Sequence, residues 1–132
     1  MGAGFGILAI EMARIFSHAR KSTLALRQRK TWLIQQLAVP ADLLRASVVE
    51  RFATCGKAQC HCHHRGTKHG PFYYLTQCLA VGKMNKFLLK TEAQQLAART
   101  GVEHYRALQE QLEELSQINA ELLRREERLV PE

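Results

Sequence analysis

A chain of 132 residues has room for one domain, or for one small domain with helical appendages. Its 46% hydrophobic and 23% charged residues are ordinary for a folded, soluble protein. The net charge of +7 indicates an acidic partner, with nucleic acid favoured over a membrane surface.

The apolar opening of the chain, MGAGFGILAI, does not look like a targeting segment. It is too short to span a bilayer, and it lacks the basic flank and the cleavage site of a secretory signal. We therefore expect a cytoplasmic protein with no membrane partner. In that compartment clustered thiols favour metal binding over disulfides.

Two helices are predicted in the first forty residues. Apolar residues recur at helical spacing from residue 7 to about residue 19. A second helix is expected to be capped by Ser22 or Thr23 and to end near Pro40, which in turn opens a short helical turn. Trp32 is expected to anchor the core, and a basic cluster is expected to form a solvated face. That cluster consists of Arg27, Arg29 and Lys30.

Three segments in the middle of the chain are predicted to be strands. Residues 47–52 are rich in β-branched and aromatic side chains and lead into a cysteine-rich loop. Residues 72–79 and 84–90 form two more runs of the same kind, and a hairpin turn through Gly82 joins them. The middle therefore predicts a small antiparallel sheet that carries a Cys/His-rich loop.

A long helix is predicted after Thr91, which forms a capping box with Gln94. Gly101 is expected to weaken or kink this helix. After Gly101, leucines recur every seven residues, as in a coiled coil. The second set of core positions of such a coiled coil also repeats every seven residues and lies between the leucines. The leucines are Leu108, Leu115, Leu122 and Leu129, and the second set is Tyr105, Leu112, Asn119 and Glu126.

The leucine pattern has two equally good interpretations. A self-associating helix would explain the heptads and the polar Asn119. Ile118 and Leu123 widen the apolar stripe, however, and this favours packing against another helix of the same chain. The residues of a predicted association helix are Leu108, Leu112, Leu115, Asn119 and Leu122, which would serve a homodimer or a helical protein partner.

These elements predict an α+β fold. A small antiparallel sheet of two or three strands with a Cys/His-rich loop is flanked by N-terminal helices and by a long C-terminal helix. Three regions follow: helical residues 1–45, a β-hairpin module at residues 46–90, and a Leu-rich helix at residues 91–132.

The cysteine-rich loop has the donor atoms of a structural zinc site. Cys55, Cys60, Cys62 and His69 form a C-x4-C-x-C-x6-H spacing, and three thiolates with one imidazole are a common tetrahedral zinc set. The spacing leaves the fourth ligand open. The other candidates for it are His61, His63, His64 and Cys78.

A catalytic cysteine is the weaker interpretation of the same loop. Nucleophilic catalysis needs a base that is oriented by a third group, usually acidic or an amide. No Asp or Glu occurs between Glu50 and Glu92. We therefore expect a protein that is not an enzyme.

Positive charge is concentrated around this loop. Residues 51–90 carry seven basic and no acidic side chains, whereas residues 91–132 carry five basic and nine acidic ones. Aromatic residues that alternate along a strand beside Lys and Arg can stack on bases while phosphates are neutralised. The candidate nucleic-acid-binding residues are Lys57, Arg65, Lys68, Phe72, Tyr74, Lys83 and Lys86.

The string CGKAQCHC at residues 55–62 and the string HGPFYYL at residues 69–75 resemble a family of small, uncharacterised prokaryotic proteins, a domain of unknown function. The pattern of that family is CGK-x2-C-x-C, then HGPYYYL, then a Leu-rich helix, and the resemblance covers roughly residues 46–123. The resemblance implies no particular biochemical activity. It does imply an accessory role in mobile elements. It also argues against Cys78 as a ligand.

The sequence therefore predicts a small zinc-stabilised nucleic-acid-binding protein, with DNA favoured over RNA. The alternative is a structural adaptor that associates through its Leu-rich helix.

Overall fold

A computed structural model of the chain describes residues 18–64 and 66–130. These residues form an α+β fold, as predicted. Two compact units are present, a helical unit of residues 18–39 and 107–130 and a sheet unit of residues 40–106. The helix predicted at residues 7–19 lies almost wholly outside the described residues. The first residues that are described, 18–20, are helical.

The sheet unit contains a three-stranded antiparallel sheet in the order β1-β2-β3. Strand β1 spans Ser47–Ala53, β2 spans His69–Ala80 and β3 spans Lys83–Leu88. The turn between β2 and β3 passes through Gly82, whose φ of 76° is a conformation that glycine adopts without strain. All three predicted strands and the hairpin turn are therefore confirmed. The helical turn predicted after Pro40 is only a turn, closed by the Leu43 amide on the Pro40 carbonyl.

Helix α1 spans Thr23–Gln36, and helix α2 spans Glu92–Arg124. The Ser22 hydroxyl accepts a hydrogen bond from the Ala25 amide at 3.1 Å, so Ser22 is the N-cap of α1. At the start of α2 the Gln94 amide donates to the Thr91 hydroxyl at 3.1 Å, and the Gln94 side chain accepts from the Thr91 amide at 3.3 Å. This is the predicted capping box. Among the described residues no helix is long and apolar enough to cross a membrane.

Helix α2 ends earlier than the leucine repeat predicts. Glu126 has a φ of 58°, and the amides of Glu126 and Glu127 donate to the carbonyls of Leu123 and Leu122 at 2.9 Å each. This hydrogen-bonding pattern stops a helix. Glu126 and Leu129 therefore lie beyond the helix, although Leu129 still packs against the core of the helical unit.

The core of the helical unit joins α1 to the last third of α2. Leu26 and Leu33 of α1 are buried against Ile118 and Leu122 of α2, and all four have at most 1% of their surface exposed. Leu115 packs against the same cluster. Three of the four repeating leucines, Leu115, Leu122 and Leu129, are thus used for packing within the chain.

The basic residues of α1 form a face that is only partly solvated, because each of them also has a partner within the chain. The Arg29 guanidinium donates two hydrogen bonds to the Glu114 carboxylate at 2.8 and 3.0 Å. Arg27 pairs with Glu127 at 3.2 Å, and the Lys30 ammonium donates to the Leu129 carbonyl. Acidic residues far along the chain therefore pair with this cluster.

Trp32 is not the predicted core anchor, because 46% of its surface is exposed. Leu26 and Leu33 lie seven residues apart, almost two full turns, and so share one face of α1. Trp32 lies one residue before Leu33 and is turned about 100° away from that face. Its ring is covered instead by the Arg29 guanidinium, 4.4 Å from the ring centroid.

The core of the sheet unit lies between one face of the sheet and the start of α2. Leu75 and Leu89 are buried with Ala98 of the helix, and Val48 and Tyr73 pack against them. Residues that lie opposite each other in an antiparallel pair share a face, and Leu75 is paired with Val48. One face of the sheet therefore carries the core.

Gly101 does not interrupt α2, which is helical on both sides of it. A Cβ atom at this position would lie 2.5 Å from the Asp42 carbonyl oxygen and 2.9 Å from the Leu44 Cβ. The Leu44 amide also donates to the Gly101 carbonyl at 3.1 Å. The missing side chain therefore lets the segment before β1 approach the helix backbone.

Gly101→Ala is expected to destabilise the sheet unit by about 1–3 kcal/mol, because the added methyl group would push the backbone at Asp42 away. Helix propensity alone predicts the opposite sign, a gain of about 1 kcal/mol. Chemical denaturation measures the difference. The control is Ala97→Gly at an exposed position of the same helix, which is expected to cost about 1 kcal/mol by propensity alone. A stabilised Gly101→Ala variant would contradict the close approach.

Candidate metal centre

The ends of β1 and β2 bring the first and last candidate ligands together. Ala53 of β1 is paired with His69, the first residue of β2, after an irregularity in the register. Cys55 follows β1 by two residues, so its side chain starts close to that pair. Antiparallel pairing therefore closes the loop of residues 54–68 at its base.

Cys60 and Cys62 lie inside this loop, on a short 3-10 turn at His61–His63. The Cys60 amide donates to the Lys57 carbonyl, and the His63 amide donates to the Cys60 carbonyl, each at 3.1 Å. These two turns in succession fold the loop back on itself. Cys62 is buried, whereas Cys55, Cys60 and His69 are half-buried.

Residue 70 needs to be glycine for His69 to take its place at the start of β2. The φ of Gly70 is 140°, which other residues rarely adopt. A Cβ atom here would also lie 2.8 Å from the Phe52 ring and 2.9 Å from the Arg51 carbonyl oxygen. The Gly-Pro pair after His69 thus lets β2 start against β1.

The ligand atoms of Cys55, Cys60, Cys62 and His69 all lie within 4.8 Å of one another. The Cys55 and Cys62 sulfurs are 3.5 Å apart, and the Cys60 sulfur is 3.3 Å from Nε2 of His69. Zn–S bonds of about 2.3 Å and a Zn–N bond of about 2.0 Å at tetrahedral angles place ligand atoms about 3.5–3.8 Å apart. The four side chains can therefore hold one metal ion.

The electrostatics of the cluster favour one thiolate. The Cys62 backbone hydrogen bond and the His69 ring lower the pKa of Cys60 to about 6. Burial raises the pKa of Cys62 instead. The Cys55 amide nevertheless donates to the Cys62 sulfur at 3.3 Å, an interaction that stabilises a thiolate. Cys60 is thus the cysteine of the cluster whose pKa is lowered most clearly.

The other candidate ligands do not belong to the cluster. His63 Nε2 donates to the Cys55 carbonyl at 2.5 Å, and this bond fixes the backbone of a ligand residue. The His61 ring lies edge-on to the His69 ring at 5.7 Å, and its Nδ1 is 3.7 Å from the Cys60 sulfur, but His61 is not one of the four residues whose ligand atoms all lie within 4.8 Å of one another. His64 is exposed, and the exposed Cys78 thiol donates to the Ala80 carbonyl. His69 is therefore the fourth member of the cluster.

The contact of His63 with the Cys55 carbonyl could not be predicted from the sequence. The side chain is one of three adjacent histidine candidates, and only the folded 3-10 turn distinguishes it from His61 and His64. No signal in the spacing separates a histidine that binds the metal from one that holds a ligand in place.

The second face of the sheet, which we call the open face, carries both aromatic and basic side chains. The register pairs Arg51 with Phe72, Val49 with Tyr74, and Thr76 with Lys86, so these residues share the face opposite the core. Arg51 and Lys86 are exposed, whereas Phe72 and Tyr74 are half-buried. None of these six residues is acidic.

The remaining predicted nucleic-acid-binding residues surround the metal loop and the hairpin turn. Lys57 and Lys68 are exposed in the loop, and Lys83 is exposed at the start of β3. Arg65 lies outside the described residues. Arg51 was not among the predicted contacts, because its place beside Phe72 depends on a register that one sequence does not reveal.

Together these features define a small α+β protein with a Cys3His cluster that could hold a metal ion at one end of a three-stranded sheet. Residues 23–78 match a family model described as "Domain of unknown function (DUF6788)". The match extends from α1 through most of β2 and contains all four residues of the cluster, which confirms the resemblance to an uncharacterised domain family. It begins and ends earlier than the expected range of residues 46–123. No significant match was found among curated proteins or among solved structures.

Proposed function

We propose that the protein is a zinc-stabilised DNA-binding protein without catalytic activity. The observation that carries the proposal is the Cys3His cluster, whose ligand atoms lie within 4.8 Å of one another inside a segment of seven basic and no acidic residues. Three thiolates and one imidazole suit zinc better than magnesium or calcium, which prefer oxygen ligands.

In this proposal the metal folds the loop and the loop presents positive charge. Lys57 and Lys68 flank ligand residues, and both are exposed. Lys83 and Lys86 extend the same charge along β3. These lysines have no acidic residues in the same segment, so phosphate groups are suitable partners for them. Each lysine–phosphate contact also releases counterions that are condensed on the DNA.

The adaptor alternative has less support. Leu115 packs against the core of the helical unit and Leu122 is fully buried in it, so neither is available for a partner helix. Leu112 remains 51% exposed. Association through α2 therefore stays a prediction. It can use Leu112 but not Leu115 or Leu122, so fewer residues support it than the heptad pattern suggests.

The test is fluorescence anisotropy with a labelled DNA of mixed sequence at several salt concentrations. If about four side chains contact phosphates, the slope of log K against log salt for a duplex is expected to be about −3.6. Replacing Lys83 and Lys86 with Gln removes two contacts and is expected to reduce the slope by about 1.8. Removing zinc with a chelator is expected to weaken binding as the loop unfolds.

Replacing Arg20 and Lys21 with Gln is the matched control, because it removes two exposed positive charges from the helical unit. It is expected to leave the slope unchanged. Affinity that does not vary with salt, or an equal loss of slope in the control variant, would contradict the proposed contacts. Binding that survives complete removal of zinc would separate DNA binding from the metal centre.

A further inference from the structure

The open face pairs each of its two aromatic rings with a cation. Arg51 is directly opposite Phe72 in the β1–β2 register. The Lys86 ammonium lies 4.9 Å from the centroid of the Tyr74 ring. Phe72 and Tyr74 are two residues apart on β2 and point to the same side. The Tyr74 ring thus has an ammonium group over it, and Phe72 has an arginine as its neighbour on the adjacent strand.

The spacing of the rings does not suit a duplex. Two residues along a strand cover about 6.7 Å, whereas stacked bases in B-form DNA rise about 3.4 Å per nucleotide. A nucleotide chain reaches from ring to ring only when it is extended and its bases are unstacked. Bases in a duplex are also paired and stacked on each other, so their faces are not available to a protein ring.

The width of the sheet leads to the same conclusion. Two-stranded ribbons enter the major groove, which is about 12 Å wide. Three strands at about 4.8 Å spacing, with their side chains, fill or exceed that width. A flat face with rings and flanking cations is instead the arrangement on which single strands stack.

We propose that the open face binds single-stranded DNA, with bases stacked on Phe72 and Tyr74 and with phosphates neutralised by Arg51 and Lys86. This inference rests on the proposed DNA binding and specifies the form of the DNA. An acidic peptide would satisfy the two cations but would leave the rings unexplained. Stacking and phosphate neutralisation do not require a 2′-hydroxyl, which is the group that distinguishes RNA.

The experiment compares a labelled single-stranded DNA of about 12 nucleotides, within the usual site size of such proteins, with its duplex and with the RNA of the same sequence. The single strand is expected to bind at least about tenfold more tightly than the duplex. Phe72→Leu and Tyr74→Leu are each expected to raise the Kd for the single strand about 5- to 150-fold, the range of base–aromatic stacking.

Phe87→Leu is the matched control. Phe87 is 45% exposed and paired with Leu75, so it lies on the core face of the same sheet. It is expected to leave the Kd unchanged, and the zinc content and circular dichroism of each variant show whether it is folded. A second measurement needs no variant: single-stranded DNA that contains 5-iodouracil is expected to crosslink to β2 when irradiated.

The outcomes separate the inference from the proposed function. The inference would be overturned if the duplex bound as tightly as the single strand or more tightly, and if the Phe72 and Tyr74 variants kept the Kd of the unmodified protein. DNA binding itself would remain intact in that case. Tighter binding of the RNA would overturn the assignment to DNA. Crosslinks that map only outside the open face would overturn the stacking arrangement. Absence of binding to every probe would overturn both proposals.

Discussion

Replacing Cys62 with serine is expected to abolish zinc binding and to unfold the loop of residues 54–68. Cys62 is the buried member of the cluster, and its sulfur lies 3.5 Å from that of Cys55. Changes to groups that only support a ligand weaken metal affinity about 10- to 100-fold, so the loss of a ligand is expected to cost more than about 100-fold. Structural zinc contributes about 10–16 kcal/mol in small zinc-folded domains, and most of that stabilisation is lost with the site.

Competition with a chromophoric chelator measures the affinity, and hydrogen exchange of residues 54–68 measures the unfolding of the loop. Cys78→Ser is the matched control, because Cys78 is an exposed cysteine of β2 that lies outside the cluster. It is expected to bind zinc as the unmodified protein does. Equal zinc affinity in the Cys62 and Cys78 variants would refute the ligand set.

Leu122→Ala is expected to destabilise the helical unit by about 2–5 kcal/mol. Leu122 has no exposed surface and is packed against Leu26 and Leu33, so truncation leaves a cavity between α1 and α2. Leu123→Ala is the adjacent control. Leu123 is 59% exposed, and its truncation is expected to change the free energy of unfolding by at most about 0.5 kcal/mol.

Chemical denaturation followed by circular dichroism measures both variants, and light scattering reports their mass in solution. If the leucine stripe is an association surface, Leu122→Ala would instead change the mass and make stability depend on protein concentration. A dimer that dissociates in the Leu122 variant would therefore contradict packing within the chain. A monomer of reduced stability is the expected result.

Local chemistry explains why the sequence predicted where α1 and α2 begin and where the hairpin turns. Ser22 caps α1 and Thr91 with Gln94 caps α2 through atoms no more than three residues apart. The turn at Gly82 is equally local. Such contacts depend only on neighbouring residues, and so they can be predicted without knowledge of the rest of the fold.

The errors concern contacts between residues far apart in the chain. Arg29 pairs with Glu114, which is 85 residues away, and nothing near Arg29 indicates that partner. Trp32 was predicted to anchor the core, but the position of α2 places Leu33 there instead. Gly101 was predicted to weaken its helix, whereas its role is a contact with Asp42 and Leu44.

The metal cluster lies between these two cases. The spacing of the three cysteines restricted three of the ligands to one loop, yet five candidates remained for the fourth position, namely His61, His63, His64, His69 and Cys78. Only the pairing of Ala53 with His69 distinguishes that histidine from its neighbours. The open face depends on the same register, which places Arg51 beside Phe72.

The metal content of the untagged protein tests the central claim most directly. Mass spectrometry of the native protein, together with elemental analysis, is expected to find one zinc ion per chain, and Cys78→Ser is expected to retain it. The ion is expected to be lost from variants of Cys55, Cys60, Cys62 or His69, which form the cluster. Less than half an equivalent of zinc in the unmodified protein, or zinc retained after any of those four changes, would contradict the account.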